Sequence, residues 1–103
     1  MLTHCVYFWL KNEATPADRA RFEEGLRSLA TIPVARDVAF GVPATTDRPV
    51  VERSYSYGLL VKFEDVAAHD AYQVHAVHKS FLESYSALWT RVQVYDFVDP
   101  PAR

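Results

Sequence analysis

Tyr72, His75 and His78 fall three residues apart in the stretch YQVHAVHKSF, inside an otherwise apolar helical pattern. Groups of these types can ligate a metal, move a proton or fill a packed wall. A helix turns about 100° per residue, so Tyr72 neighbours His75 and His75 neighbours His78. Tyr72 and His78 are themselves about 120° apart on an unbroken helix. They reach one pocket only if the helix bends near Ala76. Zinc takes three or four His, Cys or carboxylate ligands, and zinc-binding helices pair their histidines at i,i+4 rather than i,i+3. Helical phase assigns His69 and Asp70 to other faces, so no third ligand is expected and no metal with it. Proton transfer suits the residue types better. A histidine's unperturbed pKa lies near neutrality, so one buried beside a tyrosine hydroxyl can act as a base while the hydroxyl donates to a carbonyl oxygen. All three also have a plainer reading as packed or helix-surface side chains.

Two further residues bear on the same chemistry. His4 shares a strand face with Val6, Phe8 and Leu10. If the first and last strands are antiparallel neighbours, Asp96 comes within reach of His4, either to orient a catalytic imidazole or simply to satisfy an inward one. Tyr57 shares a face with Leu59, Val61 and Phe63, where it is core or pocket wall.

The elements that must position these residues are legible from periodicity. Residues 2–10 alternate with apolar side chains on both faces, which requires cover on both sides. Thr15, Pro16 and Asp18 mark a helix start, followed by the stripe Phe22, Leu26, Leu29, Ala30. Residues 34–42 read as a weaker edge strand, 43–54 as a Pro-punctuated loop, and 55–63 as a strong strand. Asp65 caps a helix carrying Ala68, Ala71, Tyr72 and His75, and its stripe runs on through His78, Phe81, Tyr85, Leu88 and Trp89. A strand over 91–98 closes the chain. The order βαββαβ gives a ferredoxin-like α+β fold with a four-stranded antiparallel sheet and both helices on one face. Two helices leave the other face bare, and the simplest cover is the same face of a second copy. A homodimer through the sheet faces is therefore expected.

Bulk properties narrow the function classes. At 103 residues, half of them hydrophobic, the chain supports one core and reads as a single domain over 1–103. A formal net charge of −2 argues against a nucleic-acid partner. No window approaches the roughly 18 apolar residues of a membrane span. Three glycines leave no phosphate-cradling loop. A single cysteine, Cys5, excludes an internal disulfide and fits a reducing, cytoplasmic setting, with Cys5 itself expected in the core.

The segments THCVYFWLK, IPVARDVAFG, YSYGLLVKFED, AYQVHAVHKSF and VYDFV together resemble the stress-responsive dimeric α/β-barrel (Dabb) family, over nearly the whole chain. The most specific piece is Tyr-x-x-His-x-x-His-x-x-Phe with the terminal Asp-Phe. The resemblance implies dimers whose sheets close a dimeric α/β barrel. It also implies a pocket for an apolar or aromatic small molecule, with no cofactor. In a plant polyketide cyclase of the family, the positions matching Tyr72 and His78 carry an intramolecular aldol condensation. The positions matching His4, Tyr57 and His75 belong to the pocket or the family pattern. This chain departs twice: Ala76 stands where the family commonly has proline, and Tyr57 where the cyclase has histidine. The expected function is a cofactor-free proton-transfer enzyme, of the cyclase or isomerase kind. The alternative is a non-catalytic stress-responsive dimer that binds a small molecule.

Overall fold

Alternation of large apolar residues makes β1 (Leu2–Leu10) the central strand of the protein. In the computed structural model, which describes residues 1–101, β1 pairs antiparallel with β3 (Tyr57–Phe63) on one side and β4 (Trp89–Val98) on the other. The short β2 (Asp37–Gly41) adds to β3, giving the order β2-β3-β1-β4. This is the ferredoxin-like βαββαβ arrangement with a four-stranded antiparallel sheet.

The helices pack on one face only. α1 (Pro16–Leu29) starts at a complete capping box, in which Thr15 and Asp18 each accept from the other's backbone N–H. It buries Phe22, Leu26 and Leu29 against the side of the sheet that carries Val6, Phe8, Tyr57, Leu59 and Val61. Phe22 is the hub, with the rings of Phe8, Tyr57, Phe81, Tyr85 and Trp89 around it. Burying such a ring contributes about 2–3 kcal/mol. At Gly25 the first helix passes against the Tyr85 ring so closely that any Cβ would collide with it.

The expectation of a barrel is overturned. The sheet is open, with β2 and β4 at opposite edges and no pairing between them. Closure needs the outermost strands to hydrogen-bond each other, and here four strands form an open layer covered by helices on one side. The uncovered side carries Cys5, Tyr7 and Trp9 of β1, Leu60 of β3, and Gln93, Tyr95 and Phe97 of β4, as the register and the alternation require. Tyr95 and Phe97 are 60% and 58% exposed. Cys5, expected in the core, is half-buried on this open side.

The second helical segment is two helices. α2 (Val66–Gln73), capped by Asp65, stops at Val74, and α3 (Ala76–Tyr85) begins afresh. The break needs no proline. His75 takes an extended conformation (φ −66, ψ 144) and is itself the N-cap of α3, its Nδ1 accepting from the Val77 N–H at 3.1 Å. A short 3₁₀ turn, Ser86–Leu88, leads into β4. Among the described residues no helix is long and apolar enough to cross a membrane.

Candidate functional site

Where α2 breaks into α3, the chain changes direction over the helix-covered side of β1 and β4. That bend brings Tyr72 and His78 together, with ring centroids 4.9 Å apart. Both line a cavity of about 200 Å³ between the sheet and the helices. His4 lies in the same wall, its ring 6.1 Å from that of Tyr72. The remaining lining is mostly apolar and includes Val6, Phe8, Leu59, Phe81 and Trp89.

The polar groups of this wall differ in how they are satisfied. His4 is buried, and its Nδ1 lies 2.5 Å from Asp96 Oδ1, across the β1–β4 register that pairs the two residues directly. Burial holds the His4 imidazole below its usual pKa, against the opposing pull of the Asp96 hydrogen bond and charge. A neutral ring donating Nδ1–H to the carboxylate fits both facts. The Tyr72 hydroxyl and His78 Nδ1, by contrast, are buried with no hydrogen-bond partner among the described residues. Burial pushes the Tyr72 hydroxyl well above the ordinary phenol range. Burial also lowers the His78 pKa, helped by the charges of His4 and His69 and opposed by the Gln73 backbone. His78 is therefore a neutral imidazole at pH 7, in the form that accepts a proton.

The other expected residues sit elsewhere. His75 is occupied at the α3 N-cap and lies outside the cavity lining. Tyr57 is buried, and its hydroxyl donates to Glu23 Oε2 at 2.6 Å, also outside that lining. One residue was missed from the sequence. His69, assigned by helical phase to another face, packs on His4 with ring centroids 5.2 Å apart and places Nε2 3.8 Å from Asp96 Oδ2. The signal was there: His69 and Tyr72 are three apart, so they share a helix face.

Residues 2–99 match the family described as the Stress responsive A/B Barrel Domain. Olivetolic acid cyclase of Cannabis sativa is 27% identical over 95 residues, covering 91% of this chain and 92% of that protein. A dimeric ferredoxin-like protein of unknown function from Jannaschia sp. superposes with a TM-score of 0.76 at 27% identity, over 95% of this chain and 98% of that one. The hydroxynitrile lyase of Passiflora edulis shares the fold with a TM-score of 0.80 at 15% identity, over 99% of this chain and 95% of that one.

Proposed function

The chain belongs to the stress responsive A/B barrel domain family, and on that premise we propose that it is a small-molecule proton-transfer enzyme acting as one domain over residues 1–103. The observation that carries this reading is that two residues lining one largely apolar cavity, Tyr72 and His78, each keep a buried polar atom, Oη and Nδ1, without a partner among the described residues. A buried hydrogen-bonding group without a partner costs about 1–3 kcal/mol, and a ligand oxygen or acidic C–H supplies what both groups lack. The substrate is a compact, largely apolar or aromatic molecule bearing a carbonyl with an acidic neighbouring C–H. His78 Nδ1 takes that proton, and the Tyr72 hydroxyl donates to the carbonyl oxygen as it gains charge. The enolate carbon then attacks a second carbonyl of the same chain, as in an aldol cyclisation, and His78 returns its proton to the new alkoxide. Reprotonation at another carbon is the isomerase variant. The likeness to olivetolic acid cyclase supports the cyclising form. His4, held by Asp96, shapes the pocket wall, while Tyr57 and His75 support it from behind through Glu23 and the helix break.

The working unit in this reading is a homodimer joined through the open sheet face. The exposed aromatic side chains there support it, as does the dimeric Jannaschia protein of the same fold. Sedimentation at micromolar concentration is expected to give twice the chain mass. A lone free Cys5 agrees with a cytoplasmic setting.

Exchange of the methyl C–H of an aryl methyl ketone in D₂O, which is slow without a catalyst, tests the chemistry when followed by proton NMR. The wild type is expected to show saturable exchange that falls about 10²–10⁴-fold in His78→Ala. Equal exchange by the two proteins overturns the reading. The second reading is a non-catalytic binder, favoured by how apolar most of the cavity lining is. It predicts that ligands raise the melting temperature of the wild type without any exchange.

A further inference from the structure

We propose that His4, His69 and Asp96 form a binding site for a divalent first-row transition ion of the zinc class. The three residues each offer one ligand atom, and those atoms lie within 4.8 Å of one another. They come from three separate elements: His4 from β1, His69 from α2 and Asp96 from β4. Two imidazoles and a carboxylate select a borderline ion such as Zn²⁺ or Co²⁺ over Mg²⁺ or Ca²⁺, which prefer all-oxygen shells. Three protein ligands leave a further position for water or a small anion.

The surroundings of His69 are those of a ligand. Its Nδ1 lies 3.1 Å from Asp70 Oδ1, so a proton on Nδ1 is given to a carboxylate, and the lone pair is left on Nε2. Nε2 is the atom turned towards Asp96 Oδ2, at 3.8 Å. A carboxylate behind a histidine is the usual device for fixing the tautomer of a metal ligand. The Gln73 amide, 3.3 Å from the same Nε2, is consistent with the lone pair there and gives way when an ion arrives. The ring is steadied by Phe63, at a centroid distance of 5.6 Å. When an ion binds, the Nδ1–H hydrogen bond from His4 to Asp96 is replaced by one metal bond from each. The single imidazole proton of His4 then resides on Nε2, so charge and protons balance.

The site adjoins the cavity through His4, but Tyr72 and His78 are not among its ligands, and the proton transfer proposed above does not run through it. Protein dialysed against chelator and titrated with Co²⁺ tests it, with the visible d–d absorption of the ion as readout and Zn²⁺ as competitor. One Co²⁺ per chain is expected, displaced by Zn²⁺. Affinity is expected to fall about 100-fold or more in His69→Ala and about 10–100-fold in Asp70→Asn, whose side chain is exposed and safe to change. Circular dichroism verifies that both variants fold. Absence of saturable binding by the wild type, or equal affinity in wild type and His69→Ala, overturns the proposal. Ketone exchange measured on the same chelator-treated protein separates this outcome from failure of the catalytic reading.

Discussion

Two polar pairs face the helix-covered side of the sheet and differ in one respect. His4 has Asp96 opposite it on the neighbouring strand, while Tyr72 and His78 have each other's rings but, among the described residues, no partner for Tyr72 Oη and His78 Nδ1. The first pair is set by strand register, which folding completes on its own. The second is set by a helix break that turns two residues inward and leaves them unsatisfied. A protein gains stability from the first arrangement and gives some up for the second. The difference locates the place where a ligand has something to add.

Substitutions sharpen that contrast. The largest effect belongs to His78→Ala, with the 10²–10⁴-fold loss of exchange given above. Next is Asp96→Ala, which orphans the buried His4. Asp96 is 39% exposed at its side chain, so water softens the penalty to about 1 kcal/mol in a urea titration. His75→Ala removes the α3 cap and costs a similar amount, about 1 kcal/mol. Because that cap also holds the bend, exchange is expected to fall with it, although His75 does not line the cavity. If stability falls and exchange does not, the bend is held by something other than His75.

Acid probes both pairs together. His4 and His78 have folded-state pKa values below the ordinary 6.5, so the unfolded chain binds more protons below that pH. Stability is therefore full above about pH 6.5 and falls as the pH drops through and below that value. His78→Gln is expected to flatten part of this decline in thermal melts between pH 7 and 5. An unchanged decline would place the whole effect elsewhere.

The strands were readable because alternation over 2–10 and 57–63 has one interpretation once one face is buried, and Thr15 announced α1 through its capping chemistry. The reach from His4 to Asp96 also followed, since ferredoxin order makes β1 and β4 antiparallel neighbours. The helix break was not readable from propensity. Neither Gly nor Pro marks it, and a histidine that looked like a helix-face residue supplies the cap through its own ring nitrogen. Barrel closure was an expectation drawn from resemblance, and the pairing of the edge strands decides it against closure. His69 shares its face with Tyr72 at i,i+3 and so belongs to the His4 wall, a phase that the apolar stripe alone does not mark.

The central claim is that Tyr72 keeps a buried hydroxyl for a ligand rather than for the fold. Urea denaturation of Tyr72→Phe beside the wild type tests this most directly, because the change removes one oxygen and little else. The expected result is an unchanged or higher midpoint, by up to about 1 kcal/mol in stability, with the slope unaltered. A loss of about 1 kcal/mol or more, as when a satisfied buried hydroxyl is removed, would contradict it.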